Sequence, residues 1–254
     1  MTVLPTASTK VGRISITPVK GFLLAHPEEV ELTEHGVPGD RLFSLVEEDG
    51  TRVRSSLNAW HNLVTAVYDA GSECLTMRFP GGEEVSGDAV PGGDVLDIRH
   101  DERRVHAQVV DGPWAELLSA LAKRPVRLAR TAHPNAVKDA PVSLVSHGSL
   151  ARLSREAGRD VDARRFRMLF EIAGCSEHEE DGWIGRLVRV GRAVIRVAAH
   201  DVRCAVTTRD PDTAQQDLDT LGLLAGYRGT VTFGVLADVA EPGRVRLGDP
   251  VEPL

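Results

Sequence analysis

FSLVEEDGTRVR, residues 43–54, sets the fold reading: a run with apolar and β-branched positions, then Asp49-Gly50, then a second short run. Both residues of the pair tolerate the positive φ of a tight turn, so the stretch predicts a hairpin. Working outward, VGRISIT (11–17), EEVEL (28–32), NLVTAVY (62–68), CLTMRF (74–79) and ERRVHAQVV (102–110) are further candidate strands, with Gly81-Gly82 as a weaker turn signal. Many short strands at this spacing favour a barrel or curled sheet over a layered α/β sheet.

Helices are few. WAELLSAL (114–121) sets Trp114, Leu117, Leu118 and Leu121 on one apolar stripe, and Pro125 ends it before the strand-like PVRLAR (125–130). A second helix is expected from about Ser146, with Leu150 and Leu153 facing inward and Gly158 just past its end. LFEIAG (169–174), LVRVG (187–191), AVIRVAAH (193–200), TVTFGVLADV (230–239) and RVRLGD (244–249) restore the strand-and-turn pattern. The segment from Asp210 to Arg228 reads as a long loop shaping substrate access, or, through Leu218, Leu221 and Leu224, as a small helical core contact. The polar, proline-punctuated AHPNAVKDAP (132–141) suggests a boundary between residues 131 and 139, giving domains 1–130 and 131–254 that share an interface. The expected fold is mainly β: a small amino-terminal β-barrel packed against a second β-barrel with a few helices.

Composition narrows the function classes. The chain has 254 residues, 42% hydrophobic and 26% charged, enough for a sizeable core. A formal net charge of −7 disfavours the broad phosphate-neutralising face that nucleic-acid binding needs. No run of about 18 apolar residues occurs, and MTVLPTASTK lacks the regions of a signal peptide, so a cytoplasmic protein without a membrane partner is expected. The three cysteines, Cys74, Cys175 and Cys204, lack C-x-x-C spacing, which argues against a disulfide framework or closed zinc site and for at least one free thiol. His200 four residues before Cys204, and His178 near Cys175, do not complete a metal cage on their own. No G-x-G-x-x-G or Walker-type loop precedes a helix, which disfavours a nucleotide-fuelled enzyme.

RCAVTTRDPDT, residues 203–213, holds the most chemistry: a thiol between cations and hydroxyls, directly after a strand. A neighbouring guanidinium such as Arg203 favours the thiolate, the form that attacks electrophiles or binds a soft metal, and Thr207 and Thr208 are potential donors to an oxyanion. The alternative is a cysteine that serves as a small buried hydrophobe.

This stretch resembles the cysteine motif of the MOSC domain family, named for the carboxy-terminal domain of molybdenum cofactor sulfurases. APVSLVSHGSL (140–150), VDARRFR (161–167), EDGWIGRLVRVG (180–191), FGVLADV (233–239) and PGRVRLGDPV (242–251) match in the family's order. TPVKG (17–21), ELTEHGVPGDRLFSLVEEDG (31–50) and PWAELLSAL (113–121) resemble the β-barrel domain that accompanies it. The resemblance implies a molybdenum cofactor, with no need of pyridoxal phosphate, held through Cys204 as metal ligand and catalytic residue. Lys20, Arg41, Ser146, Arg167, Arg203, Thr207 and Thr208 are the implied cofactor-binding residues. Lys20 and Arg41 read equally as solvated strand-end charges, Arg167 as a surface cation, and Ser146 as a helix N-cap. Two departures stand out: Met168-Leu169 replaces the family's Pro-Asn, removing an amide, and Gly21 replaces a serine.

The implied activity is reduction of an N-hydroxylated or N-oxide small molecule, with electrons from a separate ferredoxin or flavoprotein reductase, because the cysteines cannot hold an iron–sulfur cluster. Sulfur transfer or C–S bond chemistry at Cys204 without molybdenum, with Cys204 as nucleophile or persulfide carrier, is the alternative. A non-catalytic cofactor carrier is the third.

Overall fold

The computed structural model describes residues 8–54, 58–100, 103–136 and 140–254. Residues 1–7, read above for a leader, and 137–139 of the boundary segment lie outside the described residues. The strands in chain order are β1 (Lys10–Ile14), β2 (Glu29–Leu32), β3 (Phe43–Val46), β4 (Thr65–Asp69), β5 (Cys74–Arg78), β6 (Glu84–Asp88), β7 (Val95–His100) and β8 (Arg103–Val110). They continue as β9 (Arg127–Thr131), β10 (Val142–Ser146), β11 (Phe170–Ala173), β12 (Leu187–Val190), β13 (Ala193–Val202), β14 (Thr232–Glu241), β15 (Gly243–Arg246) and β16 (Val251–Pro253). Three α-helices accompany them among the described residues: α1 (Ala115–Ala122), α2 (His147–Ala157) and α3 (Thr220–Arg228).

The largest sheet has seven strands in the order β1-β11-β10-β14-β13-β12-β16. Its two edges meet: Lys10 bridges Pro250, the Val11 N–H donates to the Asp249 carbonyl at 2.9 Å, and the Val251 N–H donates to the Thr9 carbonyl at 2.9 Å. Curling the sheet until its edges bond removes the exposed donors and acceptors of a free edge, which is why the mainly β pattern closes into a barrel. Ile14, Leu144, Phe170, Ile172, Val188, Ile195 and Val235 fill the interior. Every position of β10 is buried, because Val142 and Leu144 face that interior while Val145 packs outward under α2 and α3 with Phe166, Met168 and Phe233.

The first half of the chain is not confined to one body. β1 pairs antiparallel with β11, and β2 pairs antiparallel with β15. A cut between residues 130 and 131 would strip both strands of their partners. The remaining early strands form a four-stranded sheet, β3-β9-β8-β7, and a three-stranded sheet, β4-β5-β6, around a core of Phe22, Phe43, Leu75, Met77, Trp114 and Leu118.

Local signals explain the joints. The hairpin after β3 forms with only Gly50 at positive φ (80°), and the Glu47 N–H donates to the Thr51 carbonyl at 2.9 Å around a three-residue loop. Gly82, at φ 94°, turns β5 into β6. Ser146 caps α2 by accepting the Ser149 N–H at 3.0 Å, and Gly158 ends the helix at φ 65°. Part of the stretch 210–228 expected as a loop is α3, with Leu224 fully buried and Leu218 packed against the same core.

Candidate functional site

β13 ends at Val202, and the chain passes through Arg203 and Cys204 into a 3-10 turn, Ala205–Thr208. The Cys204 thiol is exposed, which sets aside the small-buried-hydrophobe alternative. Its carbonyl is pinned twice, by the N–H and the hydroxyl of Thr207, each at 3.1 Å. The Thr207 hydroxyl also meets that of Thr220 at 2.6 Å, and the Thr208 hydroxyl donates to the Ala205 carbonyl at 2.7 Å. Both threonines are buried and spend their hydroxyls holding the cysteine turn in shape.

Arg203 is likewise turned inward. Its guanidinium pairs with Asp201, donates to the Phe166 carbonyl at 2.7 Å and to the Met168 sulfur at 3.0 Å, and lies over the Phe166 ring. Met168, at the position of the family's proline, thus anchors the residue before Cys204 through its thioether, while Leu169, at the position of the missing amide, joins the barrel core.

Beside this turn lies a cleft where the two halves meet. Leu23, Leu24 and Asn62 line it from the first half; Arg164, Arg165, Arg167, Val206, Arg209 and Pro211 line it from the second. Two and five residues past Cys204, Val206 and Arg209 tie the cysteine turn to the cleft wall.

The arginines differ in their counter-charges. Arg164 pairs with Asp162 and bidentately with Asp212, which holds its pKa above the ordinary guanidinium value. Arg165 forks onto Asp217 at 2.7 and 2.8 Å, and this contact holds the carboxyl of Asp217 down at about 2. Arg167 is different. It has no ion pair among the described residues; its guanidinium donates to the Phe22 carbonyl at 2.6 Å, and burial, with the Arg41 charge nearby, pulls its pKa down to about 9. Asp40, already held by Arg41, is the carboxylate whose charge reaches it, so this half-buried cation can take a further anion.

Arg41 supports Arg167. It is buried, forks onto Asp40 at 2.7 and 2.5 Å, and donates to the Arg167 carbonyl at 2.9 Å. Both arginines sit in the left-handed region, φ 51° and 55°, a backbone cost tolerated where surrounding contacts fix the geometry and met most often at functional sites.

The neighbouring wall holds His61 and Asn62, in a 3-10 turn at Ala59–Leu63. His61 is packed edge-on against Phe22 and Trp60, with neither ring nitrogen bonded within the protein. Burial first, then the charges of Arg167 and Arg124, pull its pKa down to about 3, so the ring is neutral at physiological pH. Asn62 is also buried, and its Oδ1 has no partner.

Of the sequence-derived candidates, the structure brings Arg41 and Arg167 together and sets Cys204, Thr207 and Thr208 on the adjoining turn. Lys20 lies half-buried in the loop between β1 and β2, its N–H donating to the Phe43 carbonyl at 2.9 Å. Ser146 is elsewhere, within a buried network in which its N–H and the Ser149 hydroxyl both donate to Glu180. Asn62, Arg164, Arg165 and Arg209, which also line the cleft, were not among the sequence-derived candidates. The cation run ARRFR and the arginine inside the cysteine motif were visible signals for the last three, whereas nothing marked Asn62.

A family model for the MOSC domain matches residues 102–252, more than half of the chain. The chain is 34% identical over 247 residues to mitochondrial amidoxime-reducing component 1 of Mus musculus, covering 91% of this chain and 70% of that protein. It is 25% identical over 286 residues to mitochondrial amidoxime reducing component 2 of Bos taurus, covering 95% and 83%. A molybdenum cofactor sulfurase of Caenorhabditis elegans is 25% identical over 229 residues, covering 86% of this chain but 32% of the relative. Among solved structures, the YUAD protein of Bacillus subtilis aligns over 97% of this chain and 96% of its own, at 13% identity and a TM-score of 0.48. With its closed β-barrel, its ordered motifs and the span of the family match, the chain belongs to the MOSC domain family.

Proposed function

We propose that this protein binds a molybdenum cofactor in the cleft between its two halves, with Cys204 as the protein ligand to the metal, and reduces N-hydroxylated or N-oxide small molecules. The observation that carries the proposal is the pairing of an exposed thiol with a neighbouring cleft that contains a half-buried cation with no ion pair among the described residues. The residues fit the group. A cofactor phosphate would supply the missing counter-charge of Arg167, and a soft, redox-active metal suits a thiolate ligand. Bound there, the cofactor would supply two-electron chemistry in which the N-bound oxygen leaves as water.

The chain's own residues prepare that chemistry. Thr207 fixes the backbone of Cys204, Arg203 braces the turn through Phe166 and Met168, and Asp40 with Arg41 holds the Arg167 loop. Leu23, Leu24, Val206 and Pro211 form the apolar part of the cleft lining. Relatives named as amidoxime-reducing components support the substrate class. Electrons come from a separate ferredoxin or flavoprotein reductase, since the three cysteines are unclustered.

The test is protein purified from a host that makes the cofactor, assayed for reduction of a simple benzamidoxime with a chemical electron donor. Near-stoichiometric molybdenum and turnover, both lost in Cys204→Ala, are expected. Correctly folded protein without molybdenum would refute the proposal. The alternative, sulfur transfer at Cys204, is favoured by the burial of Met168 and Leu169 where the family carries an amide-bearing segment. It predicts a cyanide-labile sulfur added to Cys204 after incubation with a sulfane-sulfur donor.

A further inference from the structure

The cleft wall formed by the first half of the chain contains an unanswered hydrogen-bond acceptor. Asn62 is 6% exposed, lines the cleft, and buries an Oδ1 that no protein donor reaches. Buried polar atoms without partners are uncommon, because desolvation costs free energy that no bond returns. Packing fixes this atom's surroundings. The 3-10 turn that carries Asn62 is wedged by His61 against Phe22, and its exit is tied to the cleft loop where the Leu23 N–H donates to the Val64 carbonyl at 2.9 Å. His61 adds two further unpartnered nitrogens to the same turn.

The other half supplies the complement. Arg167 is a half-buried cation on the facing wall, so a ligand satisfying both walls carries an anionic group and an N–H donor within one cleft. The two positions where family relatives bear a proline and an asparagine are Met168 and Leu169, both buried in cores and without an amide to offer.

We propose that Asn62 is a ligand-contacting residue whose Oδ1 accepts an N–H of the cofactor's pterin ring while Arg167 binds its anionic end. This inference rests on the cofactor assignment made above. Recognition of the heterocycle in this chain therefore comes from the amino-terminal half, through a side chain on a turn, and not from the segment following Arg167.

The experiment uses the full chain purified from a cofactor-producing host and then dialysed exhaustively. Molybdenum per chain, the fluorescence of oxidised pterin released per chain, and the thermal midpoint of cofactor-free protein are measured for the wild type, Asn62→Leu and Asn62→Ala. Loss of one buried hydrogen bond to the ligand is expected to lower pterin and molybdenum occupancy about tenfold in both variants under limiting cofactor. The cofactor-free midpoint of Asn62→Leu should equal or exceed that of the wild type, because the unpartnered oxygen is gone; Asn62→Ala covers the case in which leucine is too large for the turn. Variants that keep wild-type pterin and molybdenum would overturn the inference and show that water alone satisfies Asn62. A wild type that holds molybdenum without pterin, or neither, would overturn the cofactor assignment and this inference with it.

Discussion

Replacing His61 by phenylalanine should remove much of the protein's sensitivity to mild acid. In the folded chain His61 is fully buried between Phe22 and Trp60, and its pKa is about 3, against an ordinary 6.5. As pH falls through the ordinary value, the unfolded chain takes up a proton that the buried ring refuses, so the unfolded state is favoured. The stability tied to a neutral His61 is present above about pH 6.5 and is lost progressively as pH falls toward 3. Applying that shift between pH 7 and pH 5 gives a loss of about 2 kcal/mol, or roughly 4–8 °C in Tm for a chain of this length. His61→Phe keeps an aromatic ring in the same aromatic nest and abolishes the titration. Urea unfolding at pH 7, 6 and 5 is the assay. The stability of the variant relative to the wild type should rise by about 2 kcal/mol from pH 7 to pH 5, whatever the offset at pH 7. His178, whose pKa burial also lowers, contributes in the same direction to both proteins and cancels in the difference. Parallel pH curves for the two proteins would refute the reasoning.

Two other substitutions test the framework around the cleft. Asp40→Ala strands the buried guanidinium of Arg41 and removes the acceptor for the Thr17 N–H, so unfolding free energy should fall by about 3–5 kcal/mol in chemical denaturation. Gly234→Ala puts a side chain at φ 74° against the Leu144 carbonyl and the Met168 methyl, inside a barrel strand. It should cost about 2 kcal/mol or more, measured the same way, because the backbone carbonyl cannot move aside.

The pattern of short strands and turns was legible because alternation and Gly-containing pairs act locally: β3, its hairpin and the β5–β6 turn follow from a few neighbouring residues. The cap of α2 was legible for the same reason, since Ser146 and Gly158 carry their own geometry. Pairing was not. β1 and β2 read as strands of the first half, yet they bond to β11 and β15, and nothing local in KVGRI or EVEL names a partner more than a hundred residues away. β6 and β7 escaped because EVSGD is polar and only partly buried, and VLDIRH follows a glycine pair that hides its start. At the candidate site, motif resemblance pointed to Cys204, Arg41 and Arg167, which the structure sets on and beside one cleft. It could not tell that Arg203, Thr207 and Thr208 spend their polar atoms on the protein itself, because that depends on which carbonyls the fold brings within reach. Asn62 was invisible because its significance lies in a missing partner, a property of packing.

The central claim is a bond between Cys204 and molybdenum. X-ray absorption at the molybdenum edge, on wild type and on Cys204→Ser purified from the same cofactor-producing host, addresses it directly. The account predicts one fewer sulfur neighbour around the metal in the serine variant, with pterin still detectable in the cleft and the fold unchanged, since the thiol is exposed. Identical sulfur coordination in the two proteins would contradict it.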